Sequence, residues 1–251
     1  MLMTPVETKV KVNFRCRPEF KSKIKNSIAL VHISVGQNYH EGEKFIATMD
    51  LINETFKYCY VMLCDSLQRH SLKLKYSNLS DSELYRLALE KGDEWLIRNG
   101  NILKALTIPY KIYRWDFWLS HPDYAKYKIE VDKLYYHHQK FQQAVKATIE
   151  KYLARQNIER SKHEKAFNLC KQYILEECPI LIPLWAKTNA NFVVYPRFRT
   201  PIMTLMHDLY INSKQSTLLN EIALKFHRRV KAKKLNLKNN RQDYEQLYCE
   251  C

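Results

Sequence analysis

The chain has 251 residues, enough for one large domain or two small ones, and such a length buries roughly 70–75% of its unfolded surface. A hydrophobic content of 46% with 12% aromatics and no low-complexity tract is globular, and only four glycines and eight prolines argue against a turn-rich all-β fold. Lys and Arg outnumber Asp and Glu by 41 to 26, a net charge of +15, which points to a polyanionic partner. RNA or DNA stands ahead of an anionic membrane surface, with a generally basic background as the bland alternative. No stretch reaches the roughly 18–20 apolar residues of a membrane span, and MLMTPVETKVKV lacks the apolar core of a signal peptide. Seven cysteines, an odd set without a CxxC pair or zinc spacing, read as reduced thiols. A soluble cytoplasmic protein is expected.

Residues 1–26 are basic and alternate weakly at Val6, Val10, Val12 and Phe14, as an edge strand or an ordered arm would. Ile28 to Ile33 reads as a short buried strand running into Ser34-Val35-Gly36, and an amphipathic helix from about Glu43 to Phe56 follows. A second continuous apolar strand, Tyr58 to Cys64, suits a parallel sheet covered on both faces and ends in the polar cluster Asp65 to His70. Ser80 with Glu83 forms a capping box that opens a helix, and Asn99-Gly100 marks its expected stop. A strand is expected from Ile108 to Trp115, then a long helical region from Pro122-Asp123 to Gln156, and a further helix from Arg160 to Glu177. Pro179 ends it. Ile180 to Trp185 and Phe192 to Tyr195 read as the fourth and fifth strands, Ser216 to Val230 as a final helix, and residues 231–251 as a polar tail. Strands alternating with helices over residues 1–251 define a single α/β domain of Rossmann type with a mostly parallel sheet of about five strands.

Period-two geometry puts Leu30, His32 and Ser34 on one face of the first strand, with Ser34 at its carboxyl end. A hydroxyl on a strand–turn–helix junction is a candidate nucleophile, or only a turn and capping serine. Tyr173 and Glu177 lie four apart on one helix face, able to hold an amine or merely to form a solvated pair. Tyr195, beside Val193 on its face, sits at a strand's carboxyl end, where α/β folds bind ligands. There is no G-x-S-x-G elbow, Walker loop or G-x-G-x-x-G, and the nine histidines show no metal-ligand spacing. A serine with no evident histidine base needs a substrate that is already activated, such as an aminoacyl ester on tRNA.

The motifs H-x-S-V-G-Q-x-Y-H-E-G from His32, Y-x-x-x-E at 173–177 and V-V-Y-P at 193–196, in that order, resemble the tRNA-dependent cyclodipeptide synthases, as does Leu67-Gln68-Arg69-His70. That family divides by three positions: one branch carries Asn, Tyr and Gln, the other a variable residue, Tyr and Pro. Gln37, Tyr195 and Pro196 resemble the second branch. The resemblance implies a catalytic core like that of class I tyrosyl- and tryptophanyl-tRNA synthetases, here without HIGH or KMSKS motifs or an ATP-dependent step. It implies two aminoacyl-tRNA substrates, no cofactor or metal, and a ping-pong reaction through an aminoacyl ester and then a dipeptidyl ester of Ser34. Residue by residue, it makes Tyr173 and Glu177 the anchor of the first α-amino group, and Tyr195 a phenol in proton transfer. Leu30, His32 and Val193 are candidates for the aminoacyl pocket. Backbone N–H groups around Gly36 and Gln37 are candidate oxyanion donors, and His40 is either a supporting hydrogen-bonding residue or a helix cap.

For the tRNA surface, Arg86, Lys91 and Arg98 stand on a helix diluted by acids. The denser run Arg228, Arg229, Lys231, Lys233 and Lys234 and the Lys21–Lys25 stretch are the better candidates, unless they are only a solvated basic face. A monomer is expected. Two readings compete with synthesis: a non-catalytic tRNA-binding module related to a synthetase core, and an unrelated serine acyltransferase.

Overall fold

The computed structural model describes residues 8–156, 158, 160–196, 199–212 and 219–230, with the side chains of residues 8, 9, 160, 211, 212 and 228–230 set aside. In chain order the elements are β1 (Thr8–Arg15), α1 (Pro18–Ile24), β2 (Ile28–Ser34), α2 (Gly42–Thr55), β3 (Tyr58–Cys64), α3 (Arg69–Lys75), α4 (Asp81–Lys104), β4 (Tyr110–Arg114) and α5 (Trp115–Leu119). The second half adds α6 (Tyr124–His137), α7 (Gln139–Leu153), α8 (His163–Pro179), β5 (Phe192–Tyr195), α9 (Pro201–His207) and β6 (Asn220–Val230).

The strands form a six-stranded sheet in the order β1-β6-β5-β2-β3-β4. β6, β5, β2, β3 and β4 run parallel, and β1 closes one edge antiparallel to β6. Period two decides what each central strand buries. Ala29, Val31 and Ile33 of β2 join Cys59, Val61 and Leu63 of β3 in a core with Phe45, Met49, Ile52 and Trp95 of α2 and α4. Leu30, Met62 and Cys64 face the opposite way, into a core with Phe141, Val145, Ile174 and Trp185. Both faces are thus covered, as a parallel sheet requires. Each fully buried Leu, Ile or Val contributes about 1.5–3 kcal/mol.

Strands β2, β3, β4 and β5, helix α2 and the Ser80 capping box lie where the sequence pattern puts them. Four expectations need correction. Ile180–Leu184 is not a strand but a π-helical turn continuing α8, followed by a 3-10 turn at Trp185–Lys187. Every residue from Ile180 to Trp185 is buried, and a short all-apolar run carries no period to separate strand from helix. Pro179 and Pro183 lack the N–H groups a regular α-helix needs, so the continuation is a widened turn.

The segment read as a helix from Ser216 is strand β6 over Asn220–Val230, paired on both sides. Ile222 and Leu224 are buried and alternate with Lys225, which is exposed, a period-two pattern. Among the described residues the strands are therefore six, one of the expected five being absent and β1 and β6 added.

Helix α4 runs past Gly100 to Lys104, because Leu103 extends its buried stripe and an internal glycine costs only about 1 kcal/mol. The long region after Pro122 breaks at His138, whose backbone is extended, into α6 and α7. The expected tail, residues 231–251, lies outside the described residues. Among the described residues, no helix is long and apolar enough to cross a membrane.

Candidate active site

The chain leaves β2 for β3 on one side and returns from the far helices to β5 on the other. The carboxyl ends of β2 and β5 therefore flank a topological switch point, the place where open α/β sheets bind ligands. Ser34 ends β2 and Tyr195 ends β5. Their hydroxyls lie 3.2 Å apart, and the Tyr195 oxygen lies 2.9 Å from that of Tyr39.

The backbone after Ser34 is built for this. Gln37 N–H donates to the Ser34 carbonyl at 3.2 Å and Gly36 has φ +85°, a turn that a β-branched residue at that position would oppose. A 3-10 turn, Asn38–His40, then carries Tyr39 toward the site and His40 beneath it. Ser34 donates its own N–H to His40 Nδ1 at 2.9 Å, and Trp95 Nε1–H donates to the His40 carbonyl at 3.0 Å. His40 is therefore a clamp on the Ser34 backbone, while the α2 cap position falls to Glu41. Of the two expected oxyanion donors, Gly36 and Gln37, the Gln37 N–H is thus already committed to the Ser34 carbonyl. Burial, aided by nearby His32, lowers the His40 imidazole to about 3, so it stays neutral and its Nδ1 lone pair stays available.

His32 lies against the Tyr195 ring, centroids 4.8 Å apart and planes 27° apart, with Trp185 edge-on at 5.2 Å. Burial lowers its imidazole to about 3 as well. Neither histidine contacts the Ser34 hydroxyl through a hydrogen bond, and neither has the basicity of a general base near neutral pH.

A cavity of about 1400 Å³ opens above these groups, and Ser34, His32, Gln37, Val193 and Tyr195 line it. Helix α8 adds Tyr173 and Glu177, and its π-turn adds Leu181. Leu30 does not reach this cavity: it is sealed in the core beneath, where strand pairing on both sides leaves it no exposure. Burial, with Glu176 beside it, pushes the Glu177 carboxyl up to about 8. Burial and the Glu177 carboxyl push the Tyr173 phenol well above its ordinary range, and burial with Tyr39 does the same to Tyr195. Both phenols are neutral at physiological pH.

A second layer, which motif reading did not assign, holds α8 in place. Gln68 donates to the Tyr173 hydroxyl at 3.4 Å, and Arg69 binds both oxygens of Glu176. His70 Nε2 lies 3.0 Å from the same carboxylate, and Trp115 Nε1–H donates to it at 3.1 Å. Burial pushes the Glu176 carboxyl up, but the His70 and Arg69 hydrogen bonds outweigh it and hold the group below its ordinary value. The signals available were the Leu67-Gln68-Arg69-His70 segment, which the resemblance had singled out without a role, and the adjacent pair Glu176-Glu177, of which only one carboxylate can face the site. Tyr39 was legible only as a letter in the motif, because the turn that aims it is not periodic.

The candidate nucleic-acid residues are scattered. Arg86 pairs with Glu90 at 3.6 Å, Arg98 pairs with Glu41 at 2.9 Å and Glu94 at 3.7 Å, and Lys91 is half-buried on the same helix. Arg228 and Arg229 lie on β6 with their side chains outside the description, and Lys231, Lys233 and Lys234 lie outside the described residues. The cavity itself is bordered by Arg15, Arg17, Lys151 and Arg155.

A serine hydroxyl and a phenol thus meet at a sheet's switch point, in a cavity that a buried carboxyl also lines, on a fold related to that of class I tRNA synthetases. Comparison with solved structures gives the family. The chain is 38% identical to a CDPS (cyclodipeptide synthase) from Fluoribacter dumoffii, with a TM-score of 0.83 over 89% of this chain and 100% of that one. It is 23% identical to a cyclodipeptide synthase from Candidatus Glomeribacter gigasporarum bound to Phe-tRNAPhe, with a TM-score of 0.65 over 88% and 96% of the two chains. The fold also matches a tyrosyl-tRNA synthetase from Archaeoglobus fulgidus, 13% identical with a TM-score of 0.50 over 82% and 56%. No protein-family model matches the sequence, and no curated protein does. The chain belongs to the cyclodipeptide synthase family, whose members are tRNA-dependent aminoacyltransferases.

Proposed function

We propose that the protein joins two aminoacyl groups, each delivered by its own tRNA, into a cyclic dipeptide by a ping-pong route through Ser34. The observation that carries this reading is the 3.2 Å contact between the Ser34 and Tyr195 hydroxyls inside a cavity also lined by Tyr173 and Glu177. Ser34 Oγ attacks the first aminoacyl ester, and the ribose hydroxyl of the tRNA leaves with a proton. The amine of the bound aminoacyl group then attacks the second aminoacyl-tRNA, giving a dipeptidyl ester. The terminal amine of that dipeptide attacks the ester carbonyl, closing the ring and freeing Ser34. Each step exchanges an acyl bond for one of similar or lower energy, so positioning and proton transfer suffice and no cofactor is required.

Glu177 fits the amine chemistry. Its carboxyl, raised to about 8, matches the range of an α-amino group, about 7.7–8.0, so a proton passes between them at little cost and the free amine becomes available for attack. Tyr173 supports the same group from one helical turn away. His32, Trp185 and Val193 form the wall beside the nucleophile, and Gln37, Tyr195 and Pro196 assign the chain to the branch with a variable residue, Tyr and Pro. The basic border of Arg15, Arg17, Lys151 and Arg155 gives the phosphates of a tRNA acceptor end a site of entry. We place the activity in the cytoplasm, where charged tRNA is made, and in a monomer.

The test is incubation with a mixture of charged tRNAs followed by mass spectrometry for diketopiperazines. A cyclic product supports the reading. Retention of charged tRNA with no product assigns the chain to the non-catalytic tRNA-binding class instead.

A further inference from the structure

The Tyr195 hydroxyl has two hydroxyl neighbours, Ser34 at 3.2 Å and Tyr39 at 2.9 Å, but only one proton to donate. The direction of that bond decides whether Ser34 can act. If Tyr195 donates to Ser34, its proton stands where the serine proton must go. If Tyr195 donates to Tyr39, a lone pair faces Ser34 and can accept. We propose that Tyr39 is a positioning residue that sets this direction and completes a three-hydroxyl relay, Ser34 to Tyr195 to Tyr39.

Ring contacts fix Tyr39 beside this pair of hydroxyls. Its ring is half-buried and lines the cavity, edge-on to Tyr195 at 5.9 Å and 81°, and it packs on His40 at 4.6 Å. Tyr195 is held from its other side by the stacked His32 ring, so its hydroxyl is fixed between its two partners. During acylation the Ser34 oxygen forms the new ester bond and the ribose oxygen leaves. The serine proton moves to Tyr195, the Tyr195 proton to Tyr39, and the Tyr39 proton to the departing oxygen across the cavity. Every phenol ends as it began, and no phenolate forms. A partly buried chain of this kind strengthens cooperatively.

This inference rests on the Ser34 ester, so the experiment measures that ester first. Rapid-quench labelling from charged tRNA is run on the wild type, Y39F, Y195F and the double variant, with the proton inventory of the wild-type step in mixed light and heavy water. We expect Y39F to slow ester formation roughly 10–100-fold with KM little changed, and the double variant to be no slower than Y195F, because two members of one relay are not additive. The wild-type inventory is expected to curve, as several protons move together. A Y39F rate equal to wild type, multiplied single effects in the double variant, or a linear inventory overturns the role of Tyr39. The inventory uses only the wild type, so it decides even if Y39F folds poorly. Failure of the wild type to form any Ser34 ester would instead remove the ping-pong reading.

Discussion

Ser34 gives its backbone N–H to His40 Nδ1 at 2.9 Å, and its hydroxyl lies 3.2 Å from that of Tyr195. The His40 imidazole grips the main chain at Ser34, and in the proposed mechanism the proton chemistry falls to a phenol. His40→Ala leaves a buried N–H without a partner, which costs about 1–3 kcal/mol. A denaturant melt should register that loss, and His40→Asn, which keeps an acceptor, should recover part of it. An unchanged melt for the alanine variant would mean the clamp contributes nothing.

Glu177 makes the empty enzyme less stable as pH rises. Its folded carboxyl titrates near 8 against an ordinary 4.5, so between those values the folded chain keeps a proton that the unfolded chain releases. Stability from this group is therefore full below about pH 4.5, declines up to about pH 8 and is level above, by a few kcal/mol in total at roughly 1.4 kcal/mol per unit. Glu177→Gln should flatten that decline and raise the melting temperature at pH 8 while lowering cyclic product. A variant that melts with the wild-type pH dependence contradicts the assignment.

Much of this site was legible before any coordinates. Buried strand β2 announced itself by an apolar run ending in a serine, and the i,i+4 spacing of Tyr173 and Glu177 put both on one helix face, since both follow from local periods of two and 3.6. What was hidden is non-local or aperiodic. Ile180 to Trp185 has no alternation to read, yet the π-turn and the 3-10 turn after it bring Leu181 and Trp185 to the site. Leu30 shares a face with Ser34 but lies deeper in the sheet, and depth is set by which strands pair alongside. The partners of Glu176 come from 61 to 107 residues away and no spacing rule reaches them.

Glu176→Ala should be the more damaging of the two glutamate changes for folding. It leaves Arg69, a quarter exposed at its side chain, and the Trp115 indole without their acceptor. The expected loss is about 2–3 kcal/mol, below the full cost of orphaning a wholly buried charge. Chemical denaturation of the Glu176 and Glu177 variants at pH 7 compares them directly. Equal stability would show that the second layer does not support α8.

Gly92 allows α4 to pack against the carboxyl end of β3. A Cβ there would stand 2.7 Å from both Cβ and Oδ2 of Asp65, the residue that holds the Ser66 and Trp115 N–H groups and the Arg114 guanidinium. Gly92→Ala should destabilise by about 1–3 kcal/mol, although alanine favours a helix. A melting temperature at or above wild type would mean that the junction yields.

The central claim is an ester on Ser34, and intact-protein mass spectrometry after mixing with one kind of charged tRNA tests it most directly. The account predicts a mass gain of one aminoacyl residue, located at Ser34 by peptide mapping, discharged on adding a second charged tRNA and absent from Ser34→Ala. Cyclic product from Ser34→Ala at the wild-type rate, or an ester on another residue, would contradict it.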